Sequence, residues 1–227
     1  MSGLREFEVI TFDADQTLID FRPAMRQALA ESLGYLKQTI PGAADLTVDD
    51  LAQIRDGEAE RLGPSATMET IRLAAFRATL SKLGADDSGA EKFTKHYLDL
   101  RFRLARRYDD AVPTLRALAP DYRLGLATNG NSYPDRSGLE GHFAFVVLAQ
   151  DVGARKPDPA FYKNVIEAAE CDPDRILHVG DSLDEDVAAA QAVGIRAIWL
   201  NRDAELRGAV EPWAEVSTLS QIPGLLP

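Results

Sequence analysis

Two acids one residue apart, Asp13 and Asp15, follow directly after a short apolar run of strand-favouring residues, Val9 to Phe12. In an extended chain, side chains two residues apart point to the same face, so both carboxyl groups would point the same way. In that geometry one carboxylate could attack a substrate while the other transfers a proton. The alternative is a strand that ends in a polar turn, and this segment alone leaves both interpretations open.

Polar residues also end two later apolar runs. The run that begins at Tyr122 ends in Thr128 and Asn129, and the run from Ile176 to Val179 is followed by Asp181. Continuous apolar runs of this length are typical of strands in a parallel sheet. Because open α/β sheets place their ligands at the carboxyl ends of the strands, the sequence predicts one site formed by three strand ends.

The elements that must position these residues alternate along the chain. Beyond Tyr108, the apolar pattern predicts helices over 112–118, 159–169 and 187–193, and strands over 122–127, 143–148, 176–179 and 197–200. This alternation is typical of a doubly wound parallel sheet with right-handed crossovers, a Rossmann-like α/β core. Residues 208–227 are weakly patterned, and we assign them only edge or peripheral structure.

Residues 21–107 have helical periodicity and almost no strand-like run. Thr47 and Thr67 are placed to begin two of the helices. We therefore expect an α/β core formed by residues 1–20 and 108–227, with an α-helical domain inserted over residues 21–107. The inserted domain contains three arginines that could present a cation to a substrate: Arg61, Arg72 and Arg77. Arginines on helices more often lie on solvated faces, and this is what we expect for each of them.

Composition restricts the partners. The formal charge is −11, from 36 acidic residues against 25 Lys and Arg, and the chain has no basic block. Nucleic acid and anionic membranes are therefore poor partner predictions. Cys171 is the only cysteine, which excludes an intramolecular disulfide and a cysteine metal cluster. No run approaches the ~20 apolar residues of a transmembrane helix, and no signal peptide is recognisable, so we expect a cytoplasmic protein.

Four segments resemble, in order, the four motifs of the haloacid dehalogenase-like hydrolase superfamily: DADQT from Asp13, TNG from Thr128, KPDP from Lys156 and GDSLDED from Gly180. Most members of that superfamily are magnesium-dependent phosphatases. The resemblance implies a Mg²⁺-dependent phosphoric monoester hydrolase that acts on a small phosphorylated metabolite through an aspartyl-phosphate intermediate. It also implies that the helical insert is a cap that excludes water and contributes substrate contacts.

The resemblance assigns a role to each catalytic position. Asp13 matches the nucleophile, and Asp15 matches the general acid that protonates the leaving group and then activates water. Thr128 and Asn129 match substrate-binding residues. Lys156 would contribute a compact positive charge to the phosphate. Phosphoryl transfer requires these parts: a nucleophile, an acid for the leaving group and positive charge around the phosphoryl oxygens.

A metal site is implied in the same way. Asp181 matches a Mg²⁺ ligand. The resemblance implies that the second carboxylate oxygen of Asp13 and the backbone carbonyl of Asp15 complete the set of ligands that the protein contributes. Asp186 aligns with the last acid of the fourth motif and either orients a metal-bound water or holds Lys156. The charge argument is independent of the resemblance, since two acids beside a phosphate dianion require a counter-cation.

Several residues fall outside these roles. Gln16 stands where the superfamily most often has Gly, which we interpret as a feature of specificity rather than of the chemistry. Asp184 and Glu185 are interpreted as solvated acids at a helix start. The histidines His96, His142 and His178 are interpreted as structural.

Three alternatives remain open. A 2-haloacid dehalogenase of the same superfamily typically has Tyr where this chain has Asp15. A phosphomutase would pass the phosphoryl group to a sugar instead of water. A non-catalytic phospho-accepting domain would be shorter and would lack the helical insert. The substrate cannot be read from the sequence, and neither can the choice between monomer and homodimer.

Overall fold

The computed structural model describes residues 6–63, 65–206 and 208–226. The chain forms two compact units. One comprises Met1–Asp20 and Arg107–Pro227, and the other comprises Phe21–Arg106. The first contains a six-stranded sheet, and the second contains four long helices.

The first unit is organised around a parallel sheet. Its strands are β1 (Val9–Phe12), β4 (Arg123–Thr128), β5 (Phe145–Leu148), β6 (Ile176–Gly180), β7 (Arg196–Leu200) and β8 (Ala214–Val216), in the order β5-β4-β1-β6-β7-β8. Every neighbouring pair in this sheet is parallel. Two short strands, β2 (Ile19–Asp20) and β3 (Arg106–Arg107), form a separate pair. The predicted α/β class with a doubly wound parallel sheet is confirmed, and the weakly patterned C-terminal segment supplies the edge strand β8.

The sheet unit also contains several short helices, and two of its elements differ from their predicted extents by more than one residue. Its helices are α5 (Ala111–Leu118), α6 (Pro134–Ser137), α7 (Ala149–Val152), α8 (Pro159–Ala169), a π-helix (Leu183–Ala188) and α9 (Ala189–Gln191), with 3₁₀ turns at Pro173–Arg175 and Leu219–Gly224. The helix predicted over 187–193 starts four residues earlier, because the Ser182 side chain caps it by accepting a hydrogen bond from Glu185 N at 3.1 Å. The strand predicted over 143–148 begins only at Phe145.

The register of the central strands aligns their carboxyl ends. β1 lies between β4 and β6, and Phe12 is paired with Leu126 on one side and Val179 on the other. Since all three strands run in the same direction, Asp13, Thr128 and Asp181 follow within two residues of this aligned row. Both faces of β1 are buried, which explains its uninterrupted apolar sequence.

The second unit consists of α1 (Phe21–Thr39), α2 (Val48–Leu62), α3 (Met68–Lys82) and α4 (Ala90–Leu104), with 3₁₀ turns at Ala43–Asp45 and Asp87–Gly89. The predicted helix starts are confirmed: Thr47 and Asp50 form a reciprocal capping box, and the Thr67 side chain accepts a hydrogen bond from Thr70 N. Its core is apolar and aromatic, with Phe76 stacked on Phe93. Among the helices that the structure describes, none combines the length and hydropathy needed to cross a membrane.

The three arginines of the insert have different environments. Arg61 is exposed and pairs with Glu58 at 2.6 Å, and Arg77 is exposed and lies 3.4 Å from Glu91. Arg72 is buried, with 7% of its surface exposed. The expectation of a solvated helix face is therefore correct for Arg61 and Arg77 and wrong for Arg72.

Candidate active site

Lys156 is buried among the strand ends and pairs with two carboxylates. Its Nζ lies 2.6 Å from Asp13 Oδ1 and 2.7 Å from Asp186 Oδ1. Asn129 fixes the lysine backbone, because its side-chain amide donates to Lys156 O at 3.0 Å and accepts from Lys156 N at 2.8 Å. The structure thus brings together Asp13 and Lys156, which are separated by 143 positions in the sequence.

Three carboxylates form a cluster beside this lysine. Asp13, Asp181 and Asp186 each place one oxygen within 4.8 Å of the others. With all three ionised, a single ammonium leaves the cluster with an excess of negative charge. Carboxylate oxygens are the ligands that Mg²⁺ prefers. The donor set and its charge therefore fit a divalent cation.

The carboxylate of Asp15 has partners of its own. Ser132 Oγ donates a hydrogen bond to Asp15 Oδ1. On the other side lies Gly130, where a Cβ atom would come within 2.7 Å of Asp15 Oδ2, so a larger residue would displace this carboxylate from its present position. The N–H of Gly130 donates to Thr128 Oγ1 at 3.1 Å. The segment from Thr128 to Ser132 therefore positions Asp15, and Ser132 is a site residue that sequence reasoning missed.

Burial and charge act in opposite directions on the two carboxyls that flank Lys156. Burial raises the pKa of Asp13, and the nearby Asp186 and Asp181 raise it further against the opposing effect of Lys156. Burial would also raise the pKa of Asp186, but Lys156 and His178 hold it below its ordinary value. Burial would lower the pKa of Lys156, yet Asp13 and Asp186 keep it well above its ordinary value. These opposing effects favour the charged form of Lys156 and the ionised form of Asp186.

His178 belongs to the same network, so the interpretation of this residue as merely structural is incomplete. Its Nε2 lies 3.2 Å from Asp186 Oδ1, and its Nδ1 lies 2.8 Å from Thr11 Oγ1. Thr11 and His178 are directly paired across β1 and β6. The signal that could have identified this network is the presence of one polar residue at matching positions of two otherwise apolar strands.

Asp186 is further fixed by the turn before it, since Ser182 N donates to Asp186 Oδ2 at 3.0 Å. A side chain at Gly180 would collide with the Asp186 carboxyl group, which explains glycine at the end of β6. Asp184 is exposed, as expected. The expectation is wrong for Glu185, which is half-buried and accepts a hydrogen bond from Asn129 Nδ2 at 3.0 Å. Burial raises the pKa of this carboxyl.

The turn after Asp15 has an unusual backbone. Gln16 has a φ of 65°, in the left-handed region that glycine adopts at little cost, and its N–H donates to Ile19 O at 2.7 Å. The conformation explains why glycine suits this position.

Arg202 supports the same turn, because its guanidinium donates to Thr17 O at 3.0 Å and stacks 3.8 Å from the centroid of the Tyr108 ring. No motif pointed to Arg202.

Comparison with known proteins adds four findings. A family model described as haloacid dehalogenase-like hydrolase matches residues 7–194. The 5-amino-6-(5-phospho-D-ribitylamino)uracil phosphatase YigB of Escherichia coli is 30% identical over 98% of both chains. A crystal structure of a 2-haloacid dehalogenase from Pseudomonas syringae pv. tomato has a TM-score of 0.82 and 32% identity, covering 96% of this chain and 97% of that one. The magnesium-bound structure of the Bacillus subtilis protein YfnB has a TM-score of 0.72 and 25% identity, covering 97% of this chain and 99% of that one.

Proposed function

Since the chain belongs to the haloacid dehalogenase-like hydrolase family, we propose that it is a Mg²⁺-dependent phosphoric monoester hydrolase. It acts on a small phosphorylated metabolite through an aspartyl-phosphate intermediate. The observation that carries this proposal is the contact of the Lys156 ammonium with Asp13 Oδ1 at 2.6 Å, beside the cluster that Asp13 forms with Asp181 and Asp186. The phosphatase relative from E. coli supports the reaction class.

The proposed reaction has two steps. A carboxylate oxygen of Asp13 attacks phosphorus, the bond from phosphorus to the ester oxygen breaks, and Asp15 gives its proton to that oxygen. Asp15, now ionised, then takes a proton from water, which attacks the phosphoryl group and regenerates Asp13. Lys156 provides positive charge to the phosphoryl oxygens. The Thr128 hydroxyl and the backbone N–H of Asn129 bind the same group, because the side-chain amide of Asn129 is already bonded to Lys156 and Glu185.

We propose that Mg²⁺ is held by Asp13, Asp181 and the backbone carbonyl of Asp15. When bound, the ion offsets the negative charge of the phosphate and the carboxylates. For Asp186, the contacts with Lys156 and His178 support a positioning role rather than direct ligation. We also propose that the helical unit Phe21–Arg106 is the cap domain that the sequence predicts over residues 21–107.

A second candidate is a 2-haloacid dehalogenase, which the solved structure at 32% identity favours. Displacement of a halide requires no proton for the leaving group, so such an enzyme has no use for an acid at position 15. Here Asp15 is present and is held by Ser132 and by the space at Gly130. These contacts support the phosphatase.

The test is an assay of the purified full chain with p-nitrophenyl phosphate and a panel of phosphorylated metabolites, with Mg²⁺ and with EDTA. We expect hydrolysis that requires Mg²⁺ and disappears in Asp13→Asn, while Asp184→Asn, an exposed neighbour of the cluster, retains it. Halide release from a 2-haloacid without any phosphate release would assign the dehalogenase. Transfer of the phosphoryl group to a sugar would assign a phosphomutase.

A further inference from the structure

Two polar residues, Thr11 and His178, lie side by side in the buried centre of the sheet. They are directly paired across β1 and β6, and both are 0% exposed. The residues that flank them in the two strands are apolar and buried: Ile10, Phe12, Leu177 and Val179. A polar pair at this position costs desolvation that two apolar side chains would avoid, so packing alone does not account for it.

The contacts of the two ring nitrogens assign the tautomer of His178. Nε2 lies 3.2 Å from Oδ1 of the Asp186 carboxylate, which can only accept, so Nε2 carries the proton. Nδ1 lies 2.8 Å from Thr11 Oγ1, and within the described residues this is the one hydrogen bond of the Thr11 side chain. The buried hydroxyl proton therefore finds an acceptor only if Nδ1 has no proton. Tyr162 of α8 packs against the ring in a T-shaped arrangement, with the centroids 5.3 Å apart.

Asp186 connects this ring to Lys156. Its Oδ1 contacts both His178 Nε2 and Lys156 Nζ, the latter at 2.7 Å, while its Oδ2 accepts a hydrogen bond from Ser182 N at 3.0 Å. Among the described residues, Oδ1 would be left with the lysine alone if the ring N–H were removed. The orientation of the carboxylate, and with it the position of the ammonium, therefore depends on His178.

This dependence is greatest after the first step of the proposed reaction. In the free protein, Lys156 Nζ also contacts Asp13 Oδ1 at 2.6 Å. Once Asp13 carries the phosphoryl group, it is an acyl phosphate and has lost the charge of its carboxylate. Asp186 is then the carboxylate that remains in contact with the ammonium. A hydrogen bond that holds Asp186 in place therefore keeps the ammonium beside the phosphoryl oxygens.

We propose that Thr11 and His178 are positioning residues for Lys156. Thr11 fixes the ring tautomer of His178, the ring holds Asp186, and Asp186 keeps the ammonium directed at the phosphoryl group. Their role rests on the proposed function, since Lys156 acts in that reaction. In metal sites, residues that orient a ligand and fix a ring tautomer contribute about 10- to 100-fold to activity, and we expect an effect of this size for His178.

Two amides at position 178 test the contact with Asp186. His178→Gln places an N–H the same number of bonds from Cβ as Nε2, whereas the amide of His178→Asn ends at the level of Nδ1. The assay uses the purified full chain with p-nitrophenyl phosphate and Mg²⁺. We expect kcat/KM to fall about 10- to 100-fold in His178→Asn and to be restored to near the wild-type value in His178→Gln. Equal kcat/KM in the two variants would overturn the proposal, since a merely structural ring is replaced no better by Gln than by Asn.

Thr11→Val tests the other end and decides the outcome should the variants at position 178 fail to fold, because valine suits a buried strand. We expect kcat/KM to fall about 2- to 10-fold, as for the loss of one hydrogen bond, and Thr11→Ser to restore it. The matched control is Thr79→Val, which removes a buried hydroxyl that donates to Ala75 O at 2.8 Å within α3. Wild-type kcat/KM in Thr11→Val would overturn the proposal.

The tautomer is measured without the reaction. Proton–nitrogen correlation spectra of the full chain in EDTA show which ring nitrogen carries the proton, and the signals of His178 are those that disappear in His178→Gln. We expect a proton on Nε2 and none on Nδ1, and a proton on Nδ1 would overturn the proposal. A wild type that hydrolyses no phosphate ester would contradict the proposed function, and the spectra would still decide the hydrogen-bonded chain from Thr11 to Asp186.

Discussion

The molecule buries two cations in opposite ways. Lys156, in the sheet unit, lies between the carboxylates of Asp13 and Asp186 at 2.6 and 2.7 Å. Arg72, in the helical unit, contacts a tyrosine ring and hydroxyl and has no ion pair within the described residues. The first cation is compensated inside the protein, and the second is not. The difference separates a charge that is neutralised within the candidate active site from a charge that is stabilised by an aromatic ring and a hydroxyl group.

The largest expected effect is that of Lys156→Met. The substitution leaves two buried carboxylates facing each other, so we expect the free energy of unfolding to fall by about 3–5 kcal/mol and the phosphatase activity to be lost. Urea denaturation measures the first effect and a Mg²⁺-dependent assay the second. Lys163→Met, an exposed lysine on α8, is the control. A loss of stability below about 1 kcal/mol would mean that the lysine does not compensate the two acids.

Asp15→Asn tests the proposed general acid, which accepts a hydrogen bond from Ser132. Without a group that can give and accept a proton, kcat should fall about 10²- to 10⁴-fold, while urea denaturation should show little change. Steady-state assays with an alkyl phosphate measure the loss. Asp184→Asn serves as the control because that acid is exposed. Unchanged turnover in Asp15→Asn would remove the general acid from the mechanism.

Asn129→Ala removes the hydrogen bonds that hold the Lys156 backbone in place and leaves the charge of the lysine intact. The variant loses hydrogen bonds to the backbone N–H and C=O of Lys156 and to Glu185, so unfolding should become about 1–3 kcal/mol easier. Activity should fall less than in the lysine variant, since the ammonium remains. Asn164→Ala, which loses a single hydrogen bond within α8, should cost less. Equal stability of the two variants would show that Asn129 is not a structural support.

The smallest expected effect on stability is that of Arg72→Met. The variant loses the contacts with Tyr97 but also relieves an uncompensated buried charge, so the free energy of unfolding should change by less than about 1 kcal/mol. Urea denaturation of this variant beside Lys156→Met is the direct measure of the contrast. A destabilisation as large as that of the lysine variant would mean that Arg72 holds the helical unit together, as Lys156 holds the site.

The strand ends could be predicted from the sequence because their signal is local. An apolar run that stops at a polar residue marks the end of a buried strand, and parallel strands bring such ends together. This reasoning located Asp13, Thr128 and Asp181, and the structure aligns them through the pairing of Phe12 with Leu126 and Val179. The caps at Thr47 and Thr67 were predictable for the same reason, since a cap depends on residues within one turn.

The remaining contacts depend on packing between distant segments. Ser132 reaches Asp15 across 117 positions, and Arg202 reaches Thr17 across 185. Neither belongs to a motif or a periodic pattern. The burial of Arg72 had a weak local signal, because it lies four residues before the buried Phe76 and therefore on the same face of α3. Helical spacing alone does not distinguish a buried arginine from one whose long side chain reaches solvent.

The central claim is that Asp13 carries the phosphoryl group. Borohydride reduces an acyl phosphate to an alcohol, so quenching the turning-over enzyme with borohydride should convert Asp13 to homoserine, which peptide mass spectrometry identifies. We predict this conversion with substrate and Mg²⁺, and its absence in EDTA and in Asp13→Asn. Conversion of a different acid, or phosphate release with no modified residue, would contradict the account.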